Sequence, residues 1–183
     1  MARLTAYCRR FLQNCRKTST ARTESAHFTV DERKEAEATI IRLIQQQSFS
    51  LEYKALQQAQ PVSPKSRIRW FHPFIGTDQM IRIGGRLGKA NQVYDSKHQI
   101  PLPAPHHFSI ILVRYYHEKH LHAAPQLLLY LLRLRYWITG GRRLAKRTVH
   151  KCVICVRARP KLLEQFMAEL PAARPFSSTG VDY

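Results

Sequence analysis

Two short stretches, HEKHLHAAPQ at residues 117–126 and CVICVRARP at residues 152–160, decide how this sequence folds. The first places three histidines within six residues, and the second contains two cysteines separated by two residues. Imidazole nitrogen and thiolate sulfur are the donors of tetrahedral metal sites in proteins. The two stretches therefore form either one metal site, or a histidine-rich helix end and an unrelated cysteine pair.

The length and composition limit the classes of protein that fit. A chain of 183 residues accommodates one ordinary domain or two small ones, and 44% hydrophobic residues exclude a wholly disordered chain. No apolar run approaches the roughly 18 to 20 residues that span a bilayer. Arg9 and Arg10 interrupt the apolar core that a secretory signal requires. The start is basic and free of acidic residues up to Thr23, which leaves a transit peptide as an alternative.

The charge balance points to an anionic partner. Thirty basic and twelve acidic residues leave a net charge of +18. Nucleic acid phosphate is the commonest partner of such a chain, and its binding weakens steeply with salt. A membrane surface is less suitable because it requires a basic amphipathic helix with large apolar anchors, so we expect no membrane partner.

The upstream part is predicted to contain a helix and a small sheet. Thr29 and Glu32 have the spacing of a capping box, which predicts a helix start there. Its apolar stripe is expected at Ala36, Ile40, Leu43 and Ile44. Residues 67–75 and 80–87 are rich in aromatic and β-branched residues and predict a hairpin. Gly84 and Gly85 indicate a bulge or a close backbone approach, and residues 98–103 an extended edge piece.

The downstream part is predicted to contain three helices, at residues 106–120, 124–137 and 140–152. Pro125 is suited to a first helical turn, and Gly140 and Gly141 separate the second helix from the third. Short connections between such helices favour a compact bundle of helix-turn-helix type. A core of about fifty residues is marginal by itself and gains from a metal.

The spacing of the histidines and cysteines fits a structural zinc site. His117 and His122 are followed after 29 residues by Cys152 and Cys155, and a three-helix bundle brings these chain positions together. The H-E-x-x-H motif of metalloproteases is excluded because position 121 is leucine. Four protein ligands leave no position for an activated water. His120 is an alternative ligand, and a chance cysteine pair is the alternative to a metal site.

The fold class predicted from these patterns is mainly α with a small β-hairpin or sheet. A zinc-stabilised three-helix bundle of helix-turn-helix type, with two histidine and two cysteine ligands, follows an α+β extension.

The third helix and the residues after it predict a nucleic-acid-binding surface. No acidic residue occurs between Gly141 and Leu163. The basic residues expected to contact phosphates are Arg142, Arg143, Lys146, Arg147, Lys151, Arg157 and Arg159. Contact with phosphates is favoured over base reading because that helix carries no asparagine or glutamine. A solvated basic face is the alternative.

Residues 117–160 closely resemble the zinc-binding HHCC domain of integrases from LTR retrotransposons of the BEL/Pao type. MIRIGGRL at 80–87, KHQIPLPAPHHFS at 97–109 and LTAYCRRFLQNCRK at 4–17 resemble the segment that joins reverse transcriptase and RNase H to integrase. Ala124 departs from the family's pattern, which has glycine shortly after the second ligand histidine. The resemblance implies binding to the ends of the element's DNA and contacts between integrase subunits. It also implies an intracellular protein that is nuclear when it acts on DNA.

RPFSSTGVDY at 174–183 resembles the beginning of the integrase catalytic core. By that resemblance, Asp182 is the first of three carboxylates that bind Mg²⁺ in the complete core. A single carboxylate cannot hold the two metal ions that phosphoryl transfer requires, so we expect the chain as it stands to be noncatalytic and truncated at the start of the core.

Four segments follow: a basic linker at 1–28, an N-terminal extension at 29–104, the HHCC domain at 105–160, and a linker with the first core strand at 161–183. The favoured function is a noncatalytic fragment of a retrotransposon integrase that binds zinc and DNA. One alternative is the N-terminal part of an active polynucleotidyl transferase that continues past Tyr183. The other is a protein-interaction module without DNA binding.

Overall fold

The computed structural model describes residues 2–16, 27–85 and 91–158. The predictions for Arg159, Asp182 and the segment 161–183 therefore lie outside the described residues. The elements are α1 Ala2–Arg16, α2 Val30–Ser48, α3 Ser50–Gln57, a 3-10 turn at Arg69–Phe71, β1 Pro73–Ile75, β2 Ile81–Ile83, α4 Tyr94–Lys97, β3 Ile100–Pro103, α5 His107–Lys119, α6 Pro125–Arg133, β4 Tyr136–Thr139, α7 Gly141–Lys151 and α8 Val153–Arg157. The mainly helical class with small sheets is confirmed. None of the described helices combines the length and the apolarity needed to cross a membrane.

The start of α2 is fixed by the capping box that the sequence predicts. The backbone N–H of Glu32 donates to the Thr29 hydroxyl at 3.2 Å, and the Thr29 N–H donates to the Glu32 carboxylate at 2.8 Å. Arg10 of α1 donates two further hydrogen bonds to that carboxylate, at 2.8 and 2.6 Å, and lowers the pKa of Glu32 to about 2. Residues 2–16 of the predicted basic linker are therefore a helix packed on α2.

One of the four residues predicted for the apolar stripe of α2, Leu43, lies on the exposed side of the helix. Ala36, Ile41 and Ile44 are buried, whereas Leu43 is 60% exposed. The prediction for Leu43 is wrong because the buried face follows Ile41 at spacings of three and four residues, and this periodicity places Leu43 on the solvent side.

The predicted hairpin is present but short. β1 and β2 pair antiparallel, with Pro73 opposite Ile83, and Arg69–Phe71 form a 3-10 turn ahead of the first strand. The close backbone approach predicted at Gly84 is confirmed: its N–H donates to the His72 carbonyl at 2.9 Å, and a Cβ there would lie 3.0 Å from the same oxygen.

A parallel strand pair joins the extension to the downstream helices. β3 pairs with β4, with Ile100 opposite Tyr136 and Pro103 opposite Thr139. The prediction of a helix through residues 136–137 is wrong: α6 ends at Arg133, because the aromatic and β-branched residues of β4 pair with β3 instead. A strand therefore separates the second and third helices of the expected bundle.

One main core spans the predicted boundary between residues 104 and 105. Ile41, Ile100 and Leu102 of the extension and Val113 and Leu128 of the downstream helices are all fully buried in it. The extension and the downstream helices therefore share buried residues of one core.

Gln45 of α2 connects the two strand pairs from inside the core. Its side chain is fully buried; its amide nitrogen donates to the carbonyls of Ile81 at 2.9 Å and Pro101 at 3.1 Å, and its amide oxygen accepts from the Ile81 N–H at 2.8 Å. One side chain thus satisfies backbone groups of both β2 and β3, where no water can replace it.

The substitution Gln45→Ala should lower the free energy of unfolding by about 2 to 4 kcal/mol, because it leaves three buried backbone groups without partners. Denaturation by guanidinium chloride, with zinc present, measures the effect. Gln46→Ala is the matched control, since Gln46 is the next residue of α2 and is exposed. Equal midpoints for the two variants would contradict the role assigned to Gln45.

Candidate metal centre

His117 belongs to the buried face of α5. Ser109, Val113 and His117 follow one another at four-residue spacing and are at most 1% exposed. The His117 Nδ1 lies 3.0 Å from the carbonyl oxygen of Ala123. Because a carbonyl can only accept, Nδ1 carries the proton and donates, which leaves the Nε2 lone pair directed to the other side of the ring. The sequence did not indicate this role of Ala123.

The turn after α5 brings the second histidine back to the first. Leu121 and His122 both adopt left-handed backbone conformations, with φ of 52° and 60°. The His122 N–H donates to the His117 carbonyl at 2.8 Å, and this bond holds the turn. The imidazole Nδ1 of His122 then lies 3.2 Å from His117 Nε2. Each left-handed residue other than glycine costs roughly 1 to 2 kcal/mol, a strain that the site must offset.

Ala124, where the resembled family has glycine, does not affect this turn. Its φ of −61° and ψ of 158° are extended values that any residue adopts, and it serves as the N-cap of α6. The left-handed positions lie two and three residues earlier.

The two cysteines lie where α7 ends and α8 begins. The backbone of Cys152 is extended, with φ of −75° and ψ of 117°. The single turn of α8 then brings Cys155 to the side of the chain on which Cys152 lies. The backbone N–H of Cys155 hydrogen-bonds to the Cys152 sulfur and lowers the pKa of that thiol. Both the C-x2-C spacing and this hydrogen bond favour the thiolate form of Cys152, which is the form that binds metal.

The four predicted ligands come together. Cys152 Sγ lies 3.3 Å from His122 Nδ1, Cys155 Sγ lies 3.3 Å from His117 Nε2, and all four donor atoms lie within 4.8 Å of one another. In a tetrahedral zinc site, neighbouring donors are separated by roughly 3.3 to 3.8 Å. The arrangement therefore fits one Zn²⁺ ion.

The number and type of the donor atoms indicate a structural role for the metal. Two nitrogens and two sulfurs complete a tetrahedron, so the ion would be held structurally with no position left for an activated water. His120, the alternative ligand, is not in the cluster; its ring packs 5.8 Å from that of Tyr116. Cys8 and Cys15 are exposed free thiols of α1.

The basic residues predicted to bind nucleic acid lie on the outside of α7 and α8. Those in the described part of the chain are exposed, namely Arg142, Arg143, Lys146, Arg147, Lys151 and Arg157. Leu144 and Val149 of α7 are buried in the main core. No ion pair between described residues involves any of these six cations.

Fold and site together define a mainly helical protein with a closed centre of two histidines and two cysteines. Residues 105–161 match the family model described as "Integrase zinc binding domain". This segment, which contains all four ligands, is thus similar to the zinc-binding domains of integrases. No curated protein and no solved structure matches the chain significantly.

Removal of the metal should unfold the segment that the four ligands join. We expect Cys152→Ser to lower the free energy of unfolding by about 3 to 5 kcal/mol, because a lost ligand weakens a metal that binds only the folded state. Thermal unfolding followed by circular dichroism, with and without EDTA, measures this. Elemental analysis should give one zinc per wild-type chain.

Cys8→Ser and Cys15→Ser are the matched controls, since they remove exposed thiols outside the cluster. Both should retain the wild-type zinc content and melting temperature. A Cys152→Ser protein with a full complement of zinc and an unchanged melting temperature would show that the cluster is not the metal site.

The left-handed turn makes a separate prediction. Leu121 is 91% exposed, so substitutions there change backbone strain with little loss of packing. Leu121→Asn should raise the free energy of unfolding, and Leu121→Ile should lower it, each by about 1 kcal/mol, because asparagine tolerates positive φ and β-branched residues do not. Chemical denaturation of the zinc-bound proteins tests the order; the reverse order would contradict the turn conformation.

Proposed function

We propose that this chain is a noncatalytic, zinc-stabilised module of a BEL/Pao-type retrotransposon integrase that binds DNA through the phosphate backbone. The observation that carries the proposal is the exposed basic face of α7, whose cations have no acidic partner among the described residues. The match of residues 105–161 to integrase zinc-binding domains supports the same function.

The metal centre gives this face its orientation. Leu144 and Val149 anchor α7 in the core, and Cys152 at its end contacts His122 of the turn after α5. Arg143, Lys146 and Arg147 then lie on the exposed side of a helix that is anchored along its buried side. Fixed cations bind phosphates with less loss of side-chain and backbone freedom than cations on a mobile segment.

Contact with phosphates implies binding with little sequence preference. Arginine and lysine neutralise phosphate charge and release condensed counterions, and the resulting affinity depends on salt and hardly on base sequence. The ends of the element's DNA would then be selected by the assembled integrase, to which this module contributes affinity.

Subunit assembly is the second candidate function, and exposed apolar side chains next to the metal centre favour it. Ile110 of α5 and Val153 and Ile154 of α8 line one surface cavity beside His122 and Cys152, and they are 40%, 61% and 59% exposed. A patch of this kind is typical of a protein contact. Self-association through it is compatible with DNA binding, because Arg142, Arg143, Lys146 and Arg147 of α7 do not line this cavity.

An activity in DNA cutting or joining would belong to a longer integrase chain, with Asp182 as its first metal-binding carboxylate and Mg²⁺ as the catalytic ion. Such an activity would depend on carboxylates outside the described residues. The binding function proposed for α7 does not require them.

Neutralising the basic face should weaken DNA binding and its salt dependence together. For the triple variant Arg143→Gln, Lys146→Gln and Lys151→Gln, we expect the slope of log K against log[salt] to become shallower by roughly 2 to 3, because about one counterion is released per phosphate contact. Fluorescence anisotropy with short duplexes of unrelated sequence, over a range of salt concentrations, measures the slope.

The matched control is Lys34→Gln, Lys54→Gln and Lys65→Gln, which removes the same charge from exposed positions of the extension. It should leave most of the salt dependence intact. Equal losses in both triple variants would mean that net charge, and not the α7 face, determines binding. An assembly module without DNA binding would give no salt-dependent binding even in the wild-type protein.

A further inference from the structure

A cleft of about 610 Å³ lies where the extension meets the first turn of α7. Arg67 lines it from the segment before β1, Arg133 from the end of α6, and Arg142, Arg143 and Arg147 from α7. Residues that are up to 80 positions apart in the sequence therefore surround one space. No pattern in the sequence indicates that Arg67 and Arg133 belong with the basic residues of α7.

The cleft is strongly positive. All five arginines are exposed, none takes part in an ion pair between described residues, and no aspartate or glutamate is among the lining residues. Five guanidinium groups around one space repel each other unless an anion lies between them. Planar guanidinium groups with several donors suit phosphate in particular.

Aromatic side chains provide an apolar wall. The rings of Phe71 and Trp137 lie 4.8 Å apart at 52°, and the guanidinium of Arg133 lies 4.9 Å from the Trp137 ring. Both rings are only partly buried and line the cleft. Aromatic rings and arginine side by side are the groups that stack on bases and neutralise the adjoining phosphates of single strands.

The size of the cleft selects the ligand. Its volume lies in the range of about 300 to 1,000 Å³ that is typical of small-ligand sites, and a base-paired duplex is far too wide to enter it. Arg142, Arg143 and Arg147 belong both to the cleft and to the exposed face of α7. A strand that leaves a duplex bound on that face would pass directly into the cleft.

We propose that this cleft binds an unpaired nucleotide, at the point where a single-stranded extension adjoins a duplex held on α7. The inference rests on the function proposed above, and it adds a ligand and two residues, Arg67 and Arg133, to it. Duplex phosphates lie on the outer face of α7, whereas the unpaired base lies against Phe71 and Trp137.

The test compares a blunt duplex with the same duplex carrying a single-stranded 3′ or 5′ oligothymidylate extension, at one fixed salt concentration. The wild-type chain should bind at least one of the extended duplexes roughly tenfold more tightly than the blunt one. Arg67→Gln should abolish most of this gain and leave blunt-duplex binding nearly unchanged. Lys54→Gln, an exposed charge of α3 outside the cleft, should preserve the gain.

Tryptophan fluorescence gives a direct readout of the site. The chain has two tryptophans, and Trp70 is 78% exposed and does not line the cleft. In a Trp70→Phe background, the extended duplex should quench the fluorescence of Trp137 in the zinc-bound protein more than the blunt duplex does. This quenching should be lost with Arg67→Gln.

The outcomes separate the two proposals. Absence of salt-dependent binding to any duplex would overturn the proposed function and the cleft inference with it. Normal blunt-duplex binding without a gain from either extension, or an Arg67→Gln variant that loses blunt and extended binding equally, would overturn the cleft inference alone.

Discussion

The structure depends on the convergence of four donor atoms at the ends of α5 and α7. Two imidazole nitrogens and two sulfurs lie within 4.8 Å of one another. His117 is buried, and His122, Cys152 and Cys155 are partly buried. Without a cation, such an arrangement would crowd lone pairs and thiolates that repel each other; with Zn²⁺ it is a stable coordination shell. The strain of the left-handed turn at Leu121 and His122 is tolerated because the turn supplies one of these donors. The orientation of α7, and so of its basic face, follows from this centre.

A second constraint makes the extension part of the same body. β3 pairs in parallel with β4, and the buried Gln45 satisfies backbone groups of β2 and β3 together. The pairing determines where α7 begins, because β4 leads directly into Gly140 and Gly141. It also brings Arg67 of the extension to the first turn of α7. A metal module without the extension would lack that side of the cleft.

The distribution of ion pairs explains why the positive charge is concentrated on one side. Acidic residues of the extension pair with arginines close by: Glu32 with Arg10, Asp78 and Asp95 with the buried Arg82, and Glu37 with Arg135. Arg82 keeps a raised pKa, although burial by itself would lower it, because Asp78 and Asp95 stabilise the cation. The pKa of Arg135 is raised against the same effect of burial, first by Tyr136 and then by Glu37 and Asp95. These acidic side chains thus pair with arginines outside α7 and α8, whose cations form no ion pair between described residues.

The sequence by itself determined the features that depend only on residue type and on spacing along the chain. The capping box at Thr29, the hairpin around residues 76–79 and a metal site of two histidines and two cysteines follow from spacing and residue type, because capping, turns and metal ligation have specific chemical requirements. Spacing left His120 as an alternative ligand, and the structure places His117 and His122 in the cluster instead. Tertiary structure alone decided the rest. Tyr136–Thr139 became a strand because β3 was there to pair with it, and Leu43 was left exposed because packing selected the neighbouring face of α2. Arg67 joined Arg142 through contacts between distant segments, which no local spacing encodes.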